Sequence, residues 1–278
     1  MKVDLHVHTN NSDGDLSIEE VLKLAKKNDL KEISITDHDT IIKLENFTEL
    51  EQKYNLMIIP GIEIPTNIRG MHILGYCISN FNIIEQKLIN LKKYNESCNV
   101  ETIRILRKNG IDISFEQVKE ITNFSTLTYR DIVKYLYYKG YVNNPHDAYR
   151  LYIGKGAVAY VPSKELSVKE VLNLISDSGG FSVLAHPFTL NNEFDYSNMI
   201  KMMKLEGLCG VEIYSKKVSR EFYDFLVDLT RENELLKTVG TDFHNSKTDQ
   251  LGVDVSDEFL LDFHEKIYKI GGLYGKSK

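Results

Sequence analysis

Val3-Asp4-Leu5-His6-Val7-His8 is the stretch from which both the fold and the site of this chain can be worked out. Because alternate side chains of a strand point to opposite faces, it predicts one aliphatic face and one face with a carboxylate and two imidazoles. His6 and His8 then lie roughly 6.5–7 Å apart at the backbone, close enough to reach one cation. Taken alone, the pair fits a solvated strand about as well.

Composition limits the class of protein. The 278 residues are 42% hydrophobic and 27% charged, as in ordinary globular proteins. The net charge of −6 argues against binding of long nucleic acid but not of small anions, because bound cations can supply positive charge.

Three scattered cysteines indicate a reducing compartment. With no membrane-length apolar run and no room for a signal peptide before Val3, we expect a cytoplasmic protein without a membrane partner; its oligomeric state stays open.

Short apolar runs alternate with helical patterns at both ends of the chain, which predicts an α/β barrel or parallel sheet. Capping boxes at Ser17 and Ser167 predict helix starts, and further helices are expected from Thr40 to Tyr54 and from Ser256 to Ile270. The predicted later strands cover residues 33–36, 57–64, 71–78, 181–185, 210–214 and 235–240.

The alternation breaks in the middle of the chain, where residues 81–161 have a mostly helical pattern. We predict a barrel domain of residues 1–80 and 162–278 and a helical insertion, or lid, of residues 81–161. Residues 80–165 hold 13 Lys and Arg against 9 Asp and Glu, whereas the remainder holds 21 against 31. A basic lid over an acidic barrel suits an anionic substrate, although lysines also commonly solvate helix faces.

Six of the eight histidines lie in or just beyond apolar, strand-like runs, and carboxylates accompany them. In (β/α) barrels, functional residues from the ends of different strands converge in space. Nitrogen and oxygen ligands without cysteine suit Zn²⁺, Mn²⁺ or Fe²⁺, and the set is large enough for two or three ions. The candidate metal ligands are His6, His8, Asp13, His38, Glu63, His72, His186, Asp242 and His244.

Such a metal cluster predicts a reaction. A divalent cation lowers the pKa of bound water toward about 7, and two cations ~3.5–4 Å apart stabilise the oxygens of a phosphoryl displacement. The chain has no nucleophile motif and no glycine-rich phosphate loop. We therefore expect attack by a metal-bound hydroxide. Asp37, His38 or His244 would protonate the leaving oxygen, and the sequence does not choose among them.

At these residues the chain resembles the polymerase and histidinol phosphatase (PHP) family of metal-dependent phosphoesterases. The resemblance spans nearly the whole chain and implies a distorted (β/α)7 barrel with a mostly helical insertion and a trinuclear metal site. The matching motifs are Asp4-Leu5-His6-Val7-His8-Thr9, Ser12-Asp13-Gly14, Thr36-Asp37-His38-Asp39, Gly61-Ile62-Glu63, His72, Ala185-His186-Pro187 and Gly240-Thr241-Asp242-Phe243-His244. The three implied ligand sets are His6, His8, Glu63 and Asp242; Glu63, His72 and His186; and Asp13, His38 and His244.

The helical insertion resembles that of family members that hydrolyse nucleotide phosphates, namely 3′,5′-bisphosphate nucleotide phosphatases and 5′→3′ exoribonucleases of short oligomers. Such relatives often contact phosphate through a Thr-Arg-x-His stretch, where this chain has Thr128-Tyr129-Arg130-Asp131. Arg130 is displaced by one residue, about 100° around a helix, so it either compensates or is only a surface charge. The candidate phosphate-binding residues are Tyr129, Arg130 and Lys155.

The leading hypothesis is a metal-dependent phosphoesterase for a small phosphomonoester, a nucleotide or short 5′-phosphorylated oligonucleotide. Histidinol phosphate hydrolysis is an alternative that the long insertion after His72 disfavours. Amide or lactone hydrolysis stays open, because barrels with His-x-His also catalyse it. A non-catalytic binding module would predict eroded ligand positions, and here every ligand position is filled.

Overall fold

The structure is a computed structural model that describes residues 1–43, 47–123, 126–190, 195–214 and 218–270. The strands are β1 Lys2–Val7, β2 Glu32–Ile35, β3 Met57–Pro65, β4 His72–Tyr76, β5 Phe181–Leu184, β6 Gly210–Tyr214, β7 Leu236–Val239 and β8 Val253–Asp254. The helices are α1 Ile18–Lys27, α2 Phe47–Tyr54, α3 Phe81–Lys108, α4 Phe115–Thr122, α5 Tyr129–Tyr138, α6 Pro145–Ala148, α7 Val168–Asp177, α8 Tyr196–Leu205, α9 Arg220–Glu232 and α10 Leu261–Ile270.

The eight strands form one sheet in the order β7-β6-β5-β4-β3-β2-β1-β8. Neighbours are parallel except that β4 runs antiparallel to β3 and β5, and β8 runs antiparallel to β1. A parallel bridge between Val7 and Phe243 joins the end of β1 to the segment after β7, with the His8 N–H donating to the Phe243 carbonyl at 2.9 Å. The sheet is thereby nearly closed, and the predicted class, an α/β barrel of distorted (β/α)7 type, is confirmed.

The direction of β4 accounts for the distortion. No helix lies between β3 and β4, so the chain turns back at once and pairs Pro65 with His72 in an antiparallel register. A strand reached without a crossover cannot run parallel to its neighbour. As a result His72, the first residue of β4, lies at the same end of the barrel as the last residue of β3.

Local capping signals form as the sequence predicts. Ser17 and Glu20 make a reciprocal capping box at the start of α1, with the Ser17 N–H donating to the Glu20 carboxylate at 2.8 Å. Ser167 and Glu170 do the same at the start of α7. Each box satisfies backbone N–H groups that a helix start leaves unpaired, which fixes where each helix begins.

The expected alternation of β1 is wrong in one respect. Its pairing with β2 shifts register between Asp4 and Val7, which marks a bulge. Leu5 packs in a cluster with Tyr76, whereas Val7 packs on the other side, in the cluster of the α1 residue Val21. The aliphatic residues of β1 therefore do not share one face, because the extra residue of a bulge re-aims the side chains that follow it.

The helix expected from Thr40 to Tyr54 is also wrong at its start, since residues 40–43 are not helical and α2 is described from Phe47. Asp39 has a left-handed φ of 48°, and its N–H donates to the Glu63 carbonyl at 2.9 Å. This hydrogen bond keeps the segment that follows β2 beside β3 as far as Asp39. The expected final helix begins as a 3-10 turn, Asp257–Leu260, before α10.

Contacts divide the chain into two compact units, residues 1–85 with 166–278, and residues 86–165. The first contains the barrel. The second has a core of its own around Leu106, Val118, Ile132 and Leu136, all fully buried. A lid role for the insertion stays a prediction. Across the described ranges, no helix is long and apolar enough to cross a membrane.

An ion pair ties α10 to the start of β2, where His264 Nε2 lies 2.8 Å from Glu32 Oε1. The Glu32 hydrogen bond raises the pKa of His264 above its usual value. This gain in stability should be complete below the unfolded pKa of about 6.5 and disappear as the pH rises through the folded pKa.

We expect His264→Gln to lower the free energy of unfolding by about 1 kcal/mol at pH 5.5 and by much less at pH 9. Urea denaturation at both values measures this, with the exposed His146→Gln as a control. An equal loss at both pH values would contradict the ion pair.

Candidate metal centre

All nine sequence-predicted ligands come together at one end of the barrel. Residues at the ends of parallel strands and the first residue of the antiparallel β4 reach this end, as a barrel requires. Three groups have ligand atoms within 4.8 Å of one another: His6, His8, Glu63 and Asp242; His38, Glu63 and His72; and His8, Asp13, His38 and His244. His186 joins them through Glu63, with Nε2 2.9 Å from Oε1.

The first group is the tightest. His6 Nε2 lies 3.1 Å from His8 Nε2 and 3.4 Å from Asp242 Oδ1. Glu63 Oε2 lies 3.4 Å from His6 Nε2 and 3.2 Å from His8 Nε2, and Asp242 Oδ1 lies 3.3 Å from His8 Nε2. Ligands about 2.0–2.2 Å from a metal in a tetrahedron are about 3.3–3.6 Å apart, and closer in an octahedron. The spacing therefore fits one divalent cation.

Glu63 carries the strongest sign that the group accepts a metal. Its Oε2 atom is buried and has no hydrogen-bond partner within the described part of the chain. A buried, unsatisfied carboxylate oxygen is costly unless something compensates its charge. A cation among these donors supplies that compensation, so the residues present fit a metal ion.

A second group surrounds the other oxygen of the same carboxylate. His72 Nδ1 and His186 Nε2 each lie 2.9 Å from Glu63 Oε1. His38 Nδ1 lies 3.2 Å from Glu63 Oε2. Glu63 therefore faces both groups, with Oε1 near His72 and His186 and Oε2 near His38 and the first group, as a bridging carboxylate can.

The third group is more open to solvent and more loosely spaced. Asp13 Oδ1 lies 3.2 Å from His244 Nε2 and 3.6 Å from His8 Nδ1. His38 Nε2 lies 3.8 Å from Asp13 Oδ2. His38 thus reaches two groups through its two ring nitrogens, so its place in the third ligand set alone stays a prediction.

A family comparison agrees with this geometry. The PHP domain model matches residues 4–276. The chain belongs to the PHP domain family. This membership confirms the resemblance found in the sequence and the expected class, a metal-dependent phosphoric ester hydrolase. The number and identity of the metal ions are separate questions.

Relatives within the PHP family cover most of the chain. The chain is 29% identical over 250 residues to a 5′-3′ exoribonuclease of Haemophilus influenzae. The alignment covers 87% of this chain and 90% of that protein. The chain is 25% identical over 260 residues to a 3′,5′-nucleoside bisphosphate phosphatase of Chromobacterium violaceum, with 87% of each chain covered. The crystal structure of a candidate metal-dependent phosphoesterase from Bifidobacterium adolescentis superposes with a TM-score of 0.71, at 24% identity, over 99% of this chain and 98% of that one. This likeness shows the fold.

The protonation of the PHP site differs from residue to residue. Burial lowers the pKa of His38 to about 4, so its imidazole is neutral at neutral pH. Burial acts the same way on His244, but hydrogen bonds to Asp13 and to the Asp242 carbonyl outweigh it and raise the pKa to about 9. The His244 hydrogen bond in turn lowers the pKa of Asp13 to about 2.

Sequence reasoning did not assign a role to two buried carboxylates of the PHP barrel. Asp4 accepts hydrogen bonds from the Thr241 hydroxyl at 2.6 Å and the Gly252 N–H at 2.8 Å. Glu212 lies 3.1 Å from His6 Nδ1. Glu212 is the single charged residue of the strand Gly210–Tyr214, and this pattern in the sequence could have identified it.

Asp37, predicted to act in catalysis, is fully buried beside the loop that carries Asp13. It accepts hydrogen bonds from the Thr9 N–H at 2.7 Å, the Thr9 hydroxyl at 2.6 Å and the Ser12 hydroxyl at 2.6 Å. Both of its oxygens are thus engaged in holding the loop. Its catalytic role stays a prediction.

The candidate phosphate contacts belong to the second unit. Asp131 caps α5, with the Thr128 N–H donating to its carboxylate at 2.9 Å, so this residue serves the helix start. The Tyr129 ring lies edge-on to Tyr149 at 5.7 Å, and the Arg130 guanidinium lies 5.9 Å from the Tyr129 ring centroid. Lys155 is exposed. Phosphate binding by Tyr129, Arg130 and Lys155 stays a prediction.

Glu63→Gln should remove most of the bound metal, because it replaces the charge shared by two groups. We expect metal affinity to fall on the order of 100-fold or more, since loss of outer partners alone costs 10–100-fold. Metal content of the purified variant, measured by elemental analysis, checks this against Glu265→Gln, which alters an exposed carboxylate. Full metal content in Glu63→Gln would argue against a bridging role.

Asp37→Asn separates an orienting role from an acid role. An amide cannot accept from every donor on Asp37, so we expect about tenfold weaker metal binding and an unchanged pH profile of kcat. Exposed Asp254→Asn serves as the control. Unchanged metal binding with loss of the acidic group from the pH profile would instead assign the proton to Asp37.

Proposed function

We propose that this protein hydrolyses a small phosphomonoester of a nucleotide, either a nucleoside 3′,5′-bisphosphate or a short 5′-phosphorylated oligonucleotide. The observation that carries the proposal is the unsatisfied Glu63 Oε2 among imidazole nitrogens at 3.2–3.4 Å. Those donors belong to a PHP domain, and two relatives of the chain are a 5′-3′ exoribonuclease and a 3′,5′-nucleoside bisphosphate phosphatase.

We assign the metal ligands as His6, His8, Glu63 and Asp242 for one ion, and Glu63, His72 and His186 for a second, with Asp13, His38 and His244 available to a third. Two or three divalent cations of Mn, Fe or Zn suit these oxygen and nitrogen donors. When bound, such ions activate water and neutralise phosphate oxygens.

The chain's own groups define which side chain can move a proton. His38 is neutral at neutral pH because of burial, so it lacks the acidic imidazolium proton that a general acid would transfer. Both oxygens of Asp37 already accept hydrogen bonds. His244 holds a proton next to Asp13, at 3.2 Å, and is the best donor for the leaving oxygen whenever Asp13 rather than a metal faces its Nε2 atom.

The substrate class follows from charge and from the relatives. The net charge of −6 disfavours long nucleic acids, which need a broad basic surface. The second unit, residues 86–165, is the more basic part, with 13 Lys and Arg against 8 Asp and Glu. A short, highly charged substrate such as a nucleotide with one or two phosphates suits this balance.

The test is a substrate panel with the full chain and added Mn²⁺. It contains adenosine 3′,5′-bisphosphate, a 5′-phosphorylated RNA tetranucleotide, the same oligomer with a 5′-hydroxyl, histidinol phosphate and a simple lactone. We expect kcat/KM for one of the first two to exceed that for histidinol phosphate and the lactone at least about tenfold, or about 1.4 kcal/mol.

The products identify the reaction. Release of inorganic phosphate from the bisphosphate or from the 5′ end of the oligomer supports the proposed monoesterase. Stepwise release of 5′-mononucleotides would instead mean phosphodiester cleavage and assign an exonuclease. Glu63→Gln should lose turnover in either case, which ties the activity to this site. Absence of turnover on every phosphoester with metal bound, or faster lactone hydrolysis, would overturn the proposal.

A further inference from the structure

A carboxylate outside the ligand sets lies directly behind two of them. Glu212 is in the middle of β6 and 1% exposed, and both its oxygens approach His6 Nδ1, at 3.1 and 3.2 Å. The Glu212 Oε2 atom also accepts the N–H of His186 at 2.7 Å. One buried charge therefore contacts the side chain of one candidate ligand and the backbone of another.

The two contacts do different things. At His6, a carboxylate on Nδ1 keeps a proton there and leaves Nε2 free to face Glu63 and Asp242. At His186, the backbone has the left-handed φ of 28° that non-glycine residues rarely adopt. The Glu212 carboxylate, a charged acceptor for the His186 N–H, compensates part of the cost of that conformation. In this conformation the His186 Nε2 atom points at Glu63.

The barrel makes room for this arrangement at Gly240. A Cβ atom there would lie 2.3 Å from His6 Cβ and 2.6 Å from Glu212 Oε1. Any other residue would force His6, Glu212 or the backbone at this position to shift. The glycine after β7 is thus part of the same construction, since the contact needs the space that a side chain would fill.

We propose that Glu212 is a positioning residue that fixes His6 with its proton on Nδ1 and holds the His186 backbone, so that both candidate ligands face Glu63. This deepens the proposed function, on which it rests. His6 and His186 belong to different ligand sets, and Glu212 is their shared support. A carboxylate–histidine–metal arrangement of this kind raises ligand basicity and fixes ring orientation.

The decisive variant is Glu212→Gln. A glutamine can accept from the His186 N–H only if its amide NH2 faces His6 Nδ1, which favours the wrong tautomer. In the other orientation, its NH2 opposes the His186 N–H. Either way the amide NH2 opposes one of the two N–H donors, and we expect Mn²⁺ affinity to fall 10–100-fold. Glu212→Asp keeps the charge and should restore part of the affinity.

Glu32→Gln is the matched control, since Glu32 is also a largely buried carboxylate paired with a histidine, His264, which is not among the candidate ligands. Mn²⁺ titration of the full chain, followed by the electron paramagnetic resonance of free Mn²⁺, gives the affinities. If Glu212 were only part of a structural ion pair, Glu212→Gln and Glu32→Gln would bind Mn²⁺ with the same affinity. That result would overturn the proposal.

Nitrogen-15 NMR of the Zn²⁺-loaded wild type provides a readout that needs no folded variant. The expected signature is a slowly exchanging proton on His6 Nδ1, and a proton on Nε2 instead contradicts the proposal. Failure of wild type to bind Mn²⁺ or Zn²⁺ at all would count against the proposed function. Equal binding by wild type and Glu212→Gln would count against Glu212 alone.

Discussion

The carboxylate of Glu63 is the group on which the site end of this barrel depends. It is buried, and the rings of His6, His8, His38, His72 and His186 all have a nitrogen within 3.4 Å of it. Burial alone would raise the pKa of this carboxyl, but the surrounding imidazoles hold it well below its usual range. A buried carboxylate is stable only if hydrogen-bond donors or opposite charge lie close by. The strand ends that deliver the imidazoles, and the cation that these groups fit, are therefore energetically linked to Glu63.

A second layer of buried carboxylates supports the ligands from behind. Asp4 holds the segment beside Asp242 through Thr241, Asp37 holds the loop that carries Asp13, and Glu212 contacts His6. Each joins a strand to a ligand-bearing segment distant from it in sequence. Such fully bonded acids cost less than isolated ones and limit the movement of the groups in front of them. These hydrogen bonds therefore position the ligand-bearing segments from within the barrel.

Much of this could be predicted from the sequence because it is local. Capping boxes at Ser17 and Ser167 depend on residues three apart, and the PHP motifs stand in order along the chain. The bulge in β1 was not predictable, because it arises from pairing with β2 and leaves the alternation of residue types unchanged. Glu212 was missed for a related reason, since its partners, His6 and His186, lie 206 and 26 residues away. The only feature of the sequence that indicates the antiparallel direction of β4 is its short connection to β3.

Three residues next to or within the candidate ligand sets have positive φ, namely Asp39 at 48°, His186 at 28° and Asp242 at 53°. Glycine adopts such angles without penalty, whereas other residues pay roughly 1 kcal/mol or more. Replacement of His186 or Asp242 by glycine would thus relax the main chain while deleting a donor. A change that eases the main chain at either position would therefore also empty part of the site, so local stability and ligand number oppose each other there.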